Sequence, residues 1–137
     1  MPLQSLDHIN IVTNDLEASK AFYLRILGLE QADFRPDFPF GGAWFKLGSA
    51  EDSACVHIVV RDTPPARNLG RVNHFAFRAS DLAGTKRTLR EHGITFEGRP
   101  QTGGERYQIF CKDPDGVGVE MNFDLAAERA AGTDDGL

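Results

Sequence analysis

The chain has 137 residues, a formal net charge of −5, 41% hydrophobic and 26% charged residues, which is the balance of a globular domain able to bury a core without disulfides or a structural metal. No apolar run approaches the roughly 18 residues that span a bilayer, and the basic residues are scattered among acidic ones. Those facts rule out a membrane span and argue against nucleic acid as a partner.

In chain order, the opening "MPLQSLDHIN" lacks a basic stretch followed by an apolar one, so no export signal is read and a cytoplasmic location is expected. Residues 6–12, "LDHINIV", form the first expected strand. "NDLEASKAFYLRILG" then predicts a helix over about 15–27, with Asn14 as N-cap, Glu17 completing a capping box and Gly28 as the stop. Its apolar positions Leu16, Phe22, Tyr23, Ile26 and Leu27 approximate one face. Strands are expected near 29–34, 43–47 and 54–60, separated by "RPDFPFGG" and "GSAEDS". The aromatic run "FPFGGAWF" is read as half core and half pocket wall.

"RDTPPARNLG", residues 61–70, has the composition of a linker, and then the pattern restarts. A strand is expected at 72–78, a helix at 81–92 capped by Ser80, and strands near 94–97, 106–111 and 117–123, the last two joined by the turn "DPDG". "TGGERY" reads as a plain hairpin loop and the tail "AAERAAGTDDGL" as a frayed helix. The domain plan is therefore α+β: one domain over 1–137 made of two tandem βαβββ modules, 5–60 and 71–124, with the tail at 125–137. Cys55 and Cys111 form no CxxC pair and are read as core residues in a reducing compartment.

The repeat can be checked by offset. Adding 66 carries His8 onto His74 and Asp15 onto Asp81, and adding 63 carries "CVHIV" onto "GVEMN", which sets His57 opposite Glu120. Each module thus places one polar residue in its first strand and one in its last. A lone histidine in an apolar strand is more often a hydrogen-bonded core residue than a ligand. Recurrence at equivalent positions changes that balance, and a buried carboxylate such as Glu120 is costly unless paired or metal-bound. His8, His57, His74 and Glu120 form a candidate site for Zn, Ni, Mn or Fe, with His57 a fourth ligand, an acid/base group or a residue behind the ligands. His92, beside Gly93, is assigned to the C-terminus of its helix.

The two βαβββ units, with "DHINIVTNDLEASKAFYLRILGL", "NHFAF" and "DPDGVGVEMN", resemble the vicinal oxygen chelate superfamily over about residues 5–124. The resemblance implies paired modules forming a cupped half-barrel around one divalent ion, usually in a homodimer, with His8, His74 and Glu120 as ligands. Its branches differ at marked positions. Glyoxalase I enzymes place a fourth ligand where His57 stands, and their bacterial forms carry an arginine for glutathione where this chain has Val12. Fosfomycin-type thiol transferases often have threonine at the position of Asn10. Extradiol dioxygenases use an acid/base histidine near His57, a tyrosine where Phe110 stands, and commonly four modules. Bleomycin-binding relatives lack the ligand set.

The expectation is a metal-dependent glyoxalase-type isomerase or lyase acting on a small molecule with adjacent oxygens. Glu120 and His57 are its catalytic residues, and Asn10, Trp44, Arg106 and Tyr107 its substrate contacts. The alternatives are a dioxygenase, a thiol transferase and a metal-independent binding protein.

Overall fold

The structure, a computed structural model, describes residues 6, 8–48, 53–63 and 74–137. Most of the expected linker at 61–70, the start of the strand at 72, most of the turn "GSAEDS" and most of the opening segment read for an export signal lie outside the described residues. The chain divides into two units, residues 1–66 and 67–137, and each is a βαβββ module.

In the first unit β1 (Ile9–Thr13) leads into α1 (Leu16–Lys20), then β2 (Glu30–Gln31), β3 (Gly42–Lys46) and β4 (Val56–Val60). The sheet order is β1-β4-β3-β2, with β1 parallel to β4 and the other pairs antiparallel. Strand alternation sends Ile11 and Thr13, Val56 and Ile58, and Ala43 and Phe45 to one buried face. There Phe45 stacks on Tyr23 at 5.6 Å and Phe22 meets Tyr23 edge-on at 5.1 Å. Burial of a side chain such as Ile58 or Phe45 stabilises the unit by about 1.5–3 kcal/mol each.

Two details of the helix differ from the sequence reading. Its N-cap is Asp15 and not Asn14: Asp15 accepts the Ala18 N–H at 3.0 Å, while its own N–H donates to Thr13 Oγ1 at 3.0 Å. Glu17 instead pairs with Lys20 at 3.7 Å. After Lys20 the turn widens into π-helix over Ala21–Ile26, closed by the Leu27 N–H on the Phe22 carbonyl at 3.0 Å. The strand expected at 29–34 shortens to Glu30–Gln31, followed by a segment in which Pro36 and Pro39 supply no ladder donor.

The second unit repeats this order with β5 (His74–Ala79), α2 (Leu82–Glu91), β6 (Phe96–Pro100), β7 (Arg106–Lys112) and β8 (Gly118–Asp124), then adds α3 (Leu125–Ala131). Its sheet runs β5-β8-β7-β6 with β5 parallel to β8. Leu82, Leu89, Tyr107, Ile109, Val119, Met121 and Phe123 form its core.

The cap of α2 is Asp81 and not Ser80. Asp81 adopts the left-handed conformation (φ 63°) and accepts the Gly84 N–H at 2.9 Å. A Cβ at position 84 would collide with Asp81 Oδ2, so glycine lets this cap close. Both caps are thus aspartates related by the repeat offset.

The tail, expected as a frayed helix, is a capped one. Asp124 accepts the Ala127 N–H at 3.0 Å and Gly132 ends the helix at φ 71°. From α3 the buried Glu128 reaches back to accept the N–H groups of Asp81 and Leu82, which ties the tail to the start of α2. Among the described residues no helix is long and apolar enough to cross a membrane.

Candidate functional site

Each sheet has one face built of apolar side chains and one that carries the polar residues singled out above. In the first unit the ladder sets Asn10 opposite His57 and His57 opposite Trp44, so all three point to the same side. His8 lies two residues before Asn10 and shares that face. The imidazoles of His8 and His57 stack with centroids 3.8 Å apart, and His57 stacks on the other side against the Trp44 indole at 4.0 Å and 7°. His57 is held as the middle layer of three rings.

Beyond Trp44 the aromatic run divides. Phe45 is fully buried in the core, whereas Phe38 stacks on Phe40 at 5.0 Å and approaches Trp44 at 6.2 Å. The Arg35 guanidinium covers both phenylalanines at 5.0 and 5.7 Å and donates to the Phe40 carbonyl at 2.9 Å. Arg35 went unnoticed in the sequence, where its neighbours Phe34 and Phe38 were the available signal.

In the second unit His74 and Glu120 occupy the equivalent positions. His74 Nε2 lies 2.7 Å from Glu120 Oε2, and Glu120 is only 7% exposed. Its other oxygen accepts from Gln108 Nε2 at 2.7 Å and Asn122 Nδ2 at 2.8 Å. Gln108 and Asn122 were also missed. Their signal is alternation, since Asn122 is two residues past Glu120 and lies opposite Gln108 in the ladder. Phe110, directly opposite Glu120, meets His74 edge-on at 6.0 Å and is covered by Arg99 at 4.5 Å. Phe110 is therefore the counterpart of Trp44.

The remaining assignments separate. Asn10 and Arg106 are exposed. Arg106 opens β7 on the Gln108 side, opposite Asp124. Tyr107 faces the other way, 8% exposed in the core with Lys86 Nζ 4.5 Å above its ring. The reading of Tyr107 as a substrate contact is corrected by alternation, since Arg106 and Tyr107 cannot share a face. His92 Nδ1 lies 2.9 Å from the Thr88 carbonyl at the end of α2. Cys111 is buried, and burial together with the neighbouring Asp113 carboxylate pushes its thiol up to about 11. Cys55 is half-buried on the His57 side of its strand, its thiol raised chiefly by burial.

Within neither unit do three or more His, Cys, Asp or Glu side chains of the described residues gather into a group able to hold a metal. Each unit instead presents a pair of donors, imidazole with imidazole and imidazole with carboxylate. Their chemistry fits a divalent ion that takes nitrogen and oxygen ligands.

Comparison with known proteins follows the same lines. The lactoylglutathione lyase of Salmonella typhimurium is 25% identical over 130 residues, covering 91% of this chain and 96% of that one. The YwkD protein of Bacillus subtilis is 32% identical over 130 residues, covering 88% and 98%. The crystal structure of a glyoxalase/dioxygenase from Nostoc punctiforme superposes with a TM-score of 0.72 at 23% identity, covering 88% of this chain and 91% of that one, and so shares its fold. The profile of one family matches residues 5–121, nearly the whole of both βαβββ units and all four donor positions; the chain belongs to the Glyoxalase/Bleomycin resistance protein/Dioxygenase superfamily.

Proposed function

We propose that this chain is a divalent-metal-dependent enzyme of the glyoxalase type, an isomerase or lyase acting on a small molecule with two adjacent oxygens and working as a homodimer. The candidate ligands are His8 and His57 in the first unit and His74 and Glu120 in the second. The observation that supports this reading best is the equivalence of the two donor pairs: His8 contacts His57 in the first unit and His74 contacts Glu120 in the second, at matching strand positions. The likeness to a lactoylglutathione lyase supports the choice of reaction.

Bound there, Zn, Ni, Mn or Fe supplies Lewis acidity to the paired oxygens of the substrate. The side chains do the rest. Glu120 offers a carboxyl group and His57 an imidazole for proton transfer. Trp44 holds His57 by stacking against its ring. Asn10 and Trp44, on the His57 face, and Arg106, on the Glu120 face, are the substrate contacts.

Metal analysis of the purified protein should find about one divalent ion per chain. His8→Ala, His74→Ala and Glu120→Ala should each weaken binding about 10 to 100-fold or more. Full occupancy in any of the three would overturn the ligand assignment. Turnover should be sought among thiol adducts of α-ketoaldehydes, catechols and epoxides; oxygen uptake with a catechol and Fe(II) would replace the lyase reading with a dioxygenase, and ligand affinity that survives a chelator would replace it with a binding protein.

A further inference from the structure

Glu120 sits in a network of side-chain amides. Its Oε1 accepts from Gln108 Nε2 at 2.7 Å and from Asn122 Nδ2 at 2.8 Å, and Gln108 Nε2 also donates to Asn122 Oδ1 at 3.1 Å. An ionised carboxylate only accepts, so both amide nitrogens must face it and the orientation of each carboxamide is determined. The protons of Gln108 Nε2 are both committed. Gln108 stands directly opposite Asn122 in the antiparallel ladder of β7 and β8, and Asn122 is the next residue after Glu120 on the same face. All three groups are thus carried on two hydrogen-bonded strands.

The repeat supplies the control. In the first unit His57 takes the place of Glu120, Val59 that of Asn122, and Gly42, opposite Val59, that of Gln108. No polar side chain recurs there. The amides accompany the carboxylate donor and are not a by-product of the duplicated sheet.

We infer that Gln108 and Asn122 are positioning residues that tie down Glu120 Oε1 and leave Oε2, the oxygen beside His74, as the single one offered to an ion. The inference rests on Glu120 being a metal donor, so its test has one arm that needs no metal.

In metal-free protein, the side-chain amide proton resonances of Gln108 and Asn122 should lie downfield and move upfield in Glu120→Ala; resonances indifferent to that change would overturn the network. In the second arm Co(II) is titrated into the wild type, Gln108→Met, Asn122→Leu and the double variant, with far-UV circular dichroism as the check on folding. The double variant should bind Co(II) about 10 to 100-fold more weakly. Its visible absorption should also weaken, because a released carboxylate turns both oxygens to the ion and raises the coordination number. A purely structural role would lower thermal stability without altering that spectrum. Wild-type affinity and spectrum in the double variant would overturn the inference, and if that variant does not fold, the same readouts on the two single variants decide. A wild type that takes up no Co(II) would overturn both the metal reading and one-oxygen ligation, with the amide resonances still deciding the network.

Discussion

Replacing Glu128 by alanine should destabilise the second unit by about 3 kcal/mol, although the residue belongs to neither donor pair. Glu128 is 3% exposed. Its Oε2 accepts the Leu82 N–H at 2.8 Å and the Thr133 hydroxyl at 2.6 Å, and its Oε1 accepts the Asp81 N–H at 3.0 Å. Leu82 is fully buried, so water cannot replace the lost acceptor, and one bond to a charged group left unmade there costs about 1.5–3 kcal/mol. Asp81 is exposed and Thr133 only half-buried, so both rehydrate at little cost. Losing a negative charge at the start of α2 adds about 0.3–1 kcal/mol. Urea unfolding followed by circular dichroism should show the loss, and the midpoint of thermal unfolding should fall by roughly 10 °C. Glu128→Gln keeps one oxygen for the Leu82 N–H and should cost about half as much. The reasoning fails if the alanine variant stays within about 0.5 kcal/mol of wild type, or if glutamine is as damaging as alanine.

Two further outcomes are expected. His57→Ala should lower metal affinity about 10 to 100-fold; spared binding with reduced turnover would make His57 an acid/base group, and no change in either would remove it from the site. Lys86 donates to Asp135 at 2.7 Å, and that hydrogen bond, together with the Lys86 charge, holds the Asp135 carboxyl below its ordinary value of 3.8. A carboxyl depressed on folding contributes its stability above the unfolded value and loses it as pH falls through the folded one. The stability difference between wild type and Asp135→Asn should therefore shrink as the pH is lowered past 3.8, and a pH-independent difference would discount the pair.

Much of the plan was legible because strand alternation and helix capping are local. Period two alone puts Val56 and Ile58 on one face of their strand and His57 on the other. The offsets that align His8 with His74 and His57 with Glu120 need only the order of residues. The same offset relates Asp15 to Asp81, but it relates Asn14 to Ser80 equally well, so it could not choose between the two pairs as caps; the hydrogen bonds of Asp15 and Asp81 do. Alternation also separates Arg106 from Tyr107, a consequence overlooked when both were assigned to one site.

What the chain order could not disclose depends on which strand lies beside which and in what register. His8 and His57 are far apart in sequence, and their stacking follows from the parallel pairing of β1 with β4. Gln108 reads as an ordinary polar residue until the register of β7 on β8 sets it opposite Asn122 and within reach of Glu120. Glu128 likewise reads as one charge in an alanine-rich tail until α3 carries it to the start of α2. Residue type and local spacing determined which groups face outward from each sheet and which are buried. Their hydrogen-bond and ring partners were decided by tertiary pairing alone, because such contacts act over a few ångströms in space and the order of residues does not specify which distant segments come that close.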